Sequence, residues 1–235
     1  MASVLIGIIT FVVLLPTNLD FQILPRNQRN QEPPAIQKTA EPAEEKTLVE
    51  TKQDSISEPE ILFVGPRENI PEDAPKAYGF WSFAMPIPGI LSRSGQPLIS
   101  EFKWLKDQGW KGIIDLRIDG EYDEISDDAK LKGFNDLNFN YLRLPMFDGV
   151  PPTNQQAEEF LAFVNNPENQ PVHVHCRGGI GRTGAMVALY RYAVRRWPME
   201  KAIKESRLFQ GGVSDLQKKW LEDWIKNHEP GSHAI

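Results

Sequence analysis

Residues 171–184 constrain this 235-residue chain more than any other stretch. Val172, His173, Val174 and His175 read as a strand, and Arg177-Gly178-Gly179-Ile180-Gly181 as a glycine-rich loop. A strongly helical segment then opens at Arg182-Thr183-Gly184. A strand, a tight loop and a helix N-terminus in that order build an anion site. The loop N–H groups converge on one point, and the helix dipole lies behind them. The only cysteine, Cys176, stands at the start of this loop, with Arg182 after five intervening residues. A thiolate facing an arginine fork across a phosphate-sized nest is a device for attacking phosphorus.

His175-Cys176 followed by Arg182-Thr183-Gly184 resembles the signature loop of the cysteine-dependent protein tyrosine phosphatase superfamily, H-C-x5-R-[ST]. The short surrounding domain is more similar to the dual-specificity type than to the larger tyrosine-only enzymes. Leu91-Ser92-Arg93-Ser94-Gly95-Gln96-Pro97 and Gly112-Ile113-Ile114-Asp115-Leu116-Arg117 are similar to the opening strands of compact and bacterial members. The resemblance covers residues 87–227. It implies a phosphoric monoester hydrolase that works without metal or other cofactor. It also places an acid on a loop roughly thirty residues before the cysteine, which here is Asp148, and it has the Thr183 hydroxyl bond the thiolate and help expel it.

Each remaining role has a chemical reason. Cys176 is the expected nucleophile, forming a cysteinyl-phosphate, and Asp148 protonates the departing oxygen before activating water. Arg182 is expected to hold two phosphate oxygens in a bidentate fork that lysine cannot reproduce. The backbone of Arg177, Gly178, Gly179, Ile180 and Gly181 completes the cradle, and His175 orients the loop. Asp119 and Asp123 are rival acids, and Asp148 before Gly149 also fits an ordinary turn. Arg191, Arg195 and Arg196 read either as a basic rim or as a solvated helix face.

Other readings fit less well. Residues 179–184 match G-x-G-x-x-G, but the dinucleotide fold wants a second strand ending in an acidic residue about 20 positions on. The chain stays helical there. No lysine follows the glycines, so the phosphate loop of nucleotide hydrolases is excluded. A buried structural thiol leaves the flanking Gly-Gly and Arg-Thr unexplained, and a sulfur-transferase loop explains neither Arg182-Thr183-Gly184 nor Asp148. A silent phosphate-binding module remains the alternative of a different class, although a pure binder needs neither thiol nor acid.

A net charge of −6 argues against general nucleic-acid binding, and one cysteine excludes an intrachain disulfide. Residues 4–15 form an uncharged apolar run stopped by Pro16. The run suits a signal core better than a span, which needs about 20 apolar residues. Residues 1–24 are therefore expected to export the protein or anchor it to a membrane, with a cytoplasmic location as the alternative. Residues 25–60 have the composition of a disordered linker, and residues 61–235 that of the catalytic domain. Strands near residues 90–92, 112–116, 141–144 and 172–175 alternate with helices at 100–109, 125–134 and 154–164. Three more helices follow, at 182–197, 199–208 and 214–227. Such alternation predicts an α/β fold, with a mainly parallel central sheet flanked by helices on both faces and the ligand at a strand's carboxyl end. The expected partner is a phosphorylated protein or a small phosphomonoester. Phosphoinositides and inositol phosphates are the alternative, disfavoured because residues 178–181 carry no additional Lys or Arg. Oligomeric state is not legible.

Overall fold

In a computed structural model, residues 63–76, 80–121 and 134–235 are described. They belong to one unit, Ile56–Ile235. The expected signal-like segment and linker lie outside these residues, as does most of the helix expected at 125–134. Among the described residues no helix is long and apolar enough to cross a membrane.

Five four-residue strands form one sheet: β1 (Ala84–Ile87), β2 (Leu91–Ser94), β3 (Gly112–Asp115), β4 (Asn140–Arg143) and β5 (Val172–His175). Their order is β1-β2-β5-β3-β4. β2, β3 and β5 are buried along their whole length, as strands covered on both faces must be. Every pair among β2, β5, β3 and β4 is parallel, and β1 alone runs antiparallel, against β2. Sequence patterning passes over β1 because Pro86 interrupts it. An edge strand tolerates proline, since one side of its ladder is unpaired.

Helices cover both faces. α1 (Ile99–Asp107) packs Phe102 and Leu105 with Phe80, Phe83, Trp110 and Ile113. The larger core holds Ile114 and Val174 with α2 (Asn154–Asn165), α3 (Gly181–Ala193), α4 (Met199–Ser206) and α5 (Asp215–Trp224). Adjacent Ile113 and Ile114 fall in different clusters because successive strand residues point to opposite faces. α2 starts at a reciprocal cap: the Thr153 hydroxyl accepts the Gln156 N–H at 3.1 Å, and the Gln156 side chain accepts the Thr153 N–H at 2.9 Å.

α3 ends at Ala193, four residues short of the expected Trp197. Arg196 adopts a left-handed φ of 60°, and Pro198 disfavours helical geometry at Trp197. Arg191 belongs to neither a basic rim nor a solvated face. It is buried, and its guanidinium grips Glu205 of α4 at 2.6 and 3.1 Å while lying 3.8 Å over the Trp197 ring.

The register brings β2, β5 and β3 to a common edge: Ser94 pairs with His175, and Asp115 pairs with His175 from the other side. Cys176 therefore leaves the sheet at its carboxyl end, flanked by two buried strands.

Candidate active site

The loop that follows β5 folds back over the strand end. Gly179 has φ 69°, a conformation that favours glycine. A Cβ there would lie 2.4 Å from the Gly95 nitrogen and 2.5 Å from the Ser94 carbonyl carbon, so the loop tolerates no side chain at this point. The Gly179 N–H donates to Cys176 Sγ at 3.2 Å. Gln96 N–H donates to the Arg177 carbonyl at 2.9 Å, tying the loop to the residues after β2, and Gly95 N–H donates to Ser82 Oγ at 2.9 Å, tying those residues to the turn at Phe80–Ser82. α3 begins here with Ile180 as its N-cap and no side-chain cap, which leaves its first N–H donors free for an anion.

Cys176 is 2% exposed at the floor of a cleft of about 820 Å³. Glu121, Asp148, Arg177, Arg182 and Gln217 line it as well. Arg182 is buried, yet its charge is doubly supported. Burial works against the charge, but the hydrogen bonds donated to Glu121 and the proximity of Cys176 outweigh it and raise the guanidinium above its ordinary value.

The fork expected to be open for phosphate is half engaged. Glu121 accepts from Nη1 at 2.6 Å and from Nη2 at 2.5 Å, while Nη1 also reaches the Met146 carbonyl at 3.1 Å. Burial would raise the Glu121 carboxyl, but the hydrogen bond from Arg182 outweighs it and holds that carboxyl below its ordinary value. The remaining edge of Arg182 points elsewhere: its Nε has no hydrogen-bond partner and lies 3.5 Å from Asp148 Oδ1.

Asp148 is solvent-exposed on a turn closed by the Val150 N–H to the Phe147 carbonyl at 3.1 Å. The N-terminus of α5 fixes that turn from the other side. Ser214 Oγ donates to the Gly149 carbonyl at 2.7 Å, and Gln217 Nε2 to the Val150 carbonyl at 3.1 Å. Of the rival acids, Asp119 pairs with Arg143 and does not line the cleft. Asp123 lies outside the described residues.

Thr183 departs from expectation. It is fully buried and its hydroxyl has no hydrogen-bond partner, so no bond to the Cys176 sulfur is made here. His175 is buried, with Nδ1 3.4 Å from the Cys176 carbonyl and 3.9 Å from Asp115 Oδ1. Asp115 also accepts from Arg117 Nε and Nη2 at 2.9 and 2.7 Å. Burial alone would raise its carboxyl, yet the charges of His175 and Arg117 and the Arg117 hydrogen bonds hold it far below the usual range. Among the described residues no cluster of three or more His, Cys, Asp or Glu side chains could hold a metal ion.

Glu121 and Gln217 enter the site without a local signal in the sequence. Glu121 is 61 positions from Arg182, and Gln217 reads only as the third residue of a helix cap.

A family model described as "DSP-PTPase phosphatase fused to NAD+ Kinase" matches residues 89–223. The probable NAD kinase 2 of Oryza sativa subsp. japonica is 28% identical over 55% of this chain, and the chain spans only 13% of that relative's length. The probable tyrosine-protein phosphatase DG1060 of Dictyostelium discoideum is 31% identical, over 56% of this chain and 79% of its own length. The inositol diphosphatase DSP4 of Arabidopsis thaliana is 32% identical, over 65% of this chain and 78% of its own. Among solved structures, Tk-PTP in its active form superposes with a TM-score of 0.51 and 25% identity, covering 60% of this chain and 95% of that one.

Proposed function

Because the chain belongs to the family of DSP-PTPase phosphatases fused to NAD+ kinase, we propose that its domain hydrolyses phosphomonoesters through a cysteinyl-phosphate. The observation that carries this reading is the convergence of Cys176, the Arg182 Nε edge and Asp148 on one cleft.

In the first step the Cys176 thiolate attacks phosphorus. An S–P bond forms, the P–O bond to the leaving group breaks, and Asp148 gives its proton to the departing oxygen. In the second step water attacks phosphorus, Asp148 takes its proton, and the S–P bond breaks to release inorganic phosphate and restore the thiolate. Glu121 holds one edge of the Arg182 fork, so the phosphate oxygens take the Nε edge together with the second Nη2 proton. A guanidinium already fixed on one side loses less freedom when it engages the transition state. The loop amides meet the other equatorial oxygens, and Thr183 Oγ1 is the spare donor for the leaving thiolate.

A phosphoprotein or small aryl phosphate is the favoured substrate, since the loop has Arg177 as its one cation before Arg182. The kinship with an inositol diphosphatase supports inositol phosphates as the second reading. Attachment to a membrane through residues 4–24 belongs to the same proposal and rests on the apolar run alone.

The test is steady-state hydrolysis of p-nitrophenyl phosphate, a phosphotyrosine peptide and inositol hexakisphosphate by the full chain, in reducing buffer with EDTA. Turnover is expected in the wild type and absent in Cys176→Ser, with vanadate still bound by the variant. Equal turnover in both proteins would remove the nucleophile assignment. Vanadate binding without turnover in the wild type would select the silent binding module.

A further inference from the structure

Arg93 is the largest fully buried side chain outside the proposed catalytic set, at 1% exposure, and the chemistry above does not use it. It sits on β2 and does not line the cleft. Among the described residues it forms no ion pair, and its carboxylate neighbour Glu205 is committed to Arg191 and to the Val64 N–H at 2.9 Å. Burial lowers its guanidinium to about 10, partly offset by the charges of Glu205 and Cys176, so it remains a cation at neutral pH. An unpaired buried cation is costly, so the contacts that hold it in place matter.

Of its donors Nη2 goes to the phosphate loop, while Nε has no hydrogen-bond partner. Nη2 donates to the Gly179 carbonyl at 2.5 Å and lies 3.5 Å from the Ile180 carbonyl. The guanidinium carbon rests 3.6 Å from the centre of the Phe209 ring, which fixes the plane of the fork. In a trans peptide the C=O and the following N–H point in opposite directions. The Gly179 carbonyl drawn back towards β2 therefore aims the Ile180 N–H forward, towards the cleft, while the Ile180 carbonyl accepts the Gly184 N–H at 2.8 Å in the first turn of α3. Gly179 leaves this peptide free to rotate unless something holds it.

We propose that Arg93 is a positioning residue for the proposed phosphatase reaction: by holding the Gly179 carbonyl it presents the Ile180 N–H to the phosphate and backs the site with a second positive charge. The inference rests on the anion-site reading of the loop. It extends the site to a residue that lies outside the loop and does not touch the substrate.

The probe is inorganic phosphate, and the reporter is Cys176, the only thiol in the chain. The phosphate concentration giving half-protection of Cys176 from iodoacetamide is measured for the wild type, Arg93→Met and Arg93→Lys as full chains. KM and kcat for p-nitrophenyl phosphate are measured alongside. In Arg93→Met, half-protection is expected to need at least ~10-fold more phosphate, with KM rising in parallel and kcat falling ~100-fold. A variant that is merely less folded lowers kcat and leaves KM and half-protection unchanged, so the two causes separate. Lysine keeps the charge without the planar fork, and Arg93→Lys is expected to recover part of the affinity while staying at least ~5-fold weaker than wild type. If Arg93→Met does not fold, Arg93→Lys decides alone. Half-protection and KM at wild-type values in a folded variant overturn the inference and leave the phosphatase reading intact. A wild type that phosphate does not protect overturns the anion-site reading beneath both.

Discussion

Glu101 lies buried under the first turn of α1, where its Oε2 accepts the Leu98 N–H at 2.7 Å and its Oε1 has no partner. Burial pushes this carboxyl up to about 7, against the opposing pull of the Leu98 hydrogen bond. A carboxyl raised by folding binds its proton more tightly in the folded state. The stability it brings is complete below its ordinary value of 4.5 and is lost as pH climbs through about 7. Between about pH 5 and about pH 8 the wild type is expected to lose Tm relative to Glu101→Gln, which keeps an acceptor for Leu98 and cannot ionise. Thermal unfolding of both proteins across that range measures the difference, and parallel profiles would mean that Glu101 does not titrate there. At this scale the sequence is read best where chemistry is contiguous. Cys176 and Arg182 lie within one loop and announce themselves by spacing. Glu121 does not, because its meaning depends on the Arg182 fork 61 positions away.

The N-terminus of α5 has two duties that patterning separates. Ser214 Oγ accepts the Gln217 N–H at 3.2 Å, capping the helix, and donates to the Gly149 carbonyl at 2.7 Å, anchoring the Asp148 turn. Ser214→Ala is expected to cost about 1 kcal/mol of stability, as lost caps do. It should also slow phenyl phosphate, whose leaving group needs protonation, ~2–10-fold more than p-nitrophenyl phosphate, whose leaving group needs little. Denaturant titration and the two kcat ratios check this; an equal loss on both substrates would detach Ser214 from the acid turn. Most helices and strands were legible at this scale, since apolar spacing and caps place α1, α2, α4 and α5 within a few residues of their observed limits. β1 was not, because only the tertiary position of Pro86 on an edge makes it a strand. The end of α3 was read too far along, because apolar residues continue through Trp197 although Arg196 has already left helical geometry.

Across the whole domain, Glu205 joins three distant parts of the chain. It accepts from Arg191 on α3 and from the Val64 N–H near the start of the described residues, while itself belonging to α4. Removing one partner of a buried pair strands the other charge, so Glu205→Ala is expected to destabilise by about 3–5 kcal/mol. The double variant Arg191→Met/Glu205→Leu should recover much of that loss. Urea midpoints of the three proteins measure it, and a single variant as stable as wild type would show that the pair does not bind the chain together. The sequence by itself determined the fold class and the strand–loop–helix order that carries Cys176 and Arg182. These follow from local periodicity and from seven residues that fold as one loop. Tertiary structure decided that Arg191 is internal, that Glu121 takes one edge of Arg182 and that Arg93 braces the loop from behind. Each of these depends on which residues far apart in the chain the sheet register and helix packing bring within hydrogen-bond reach.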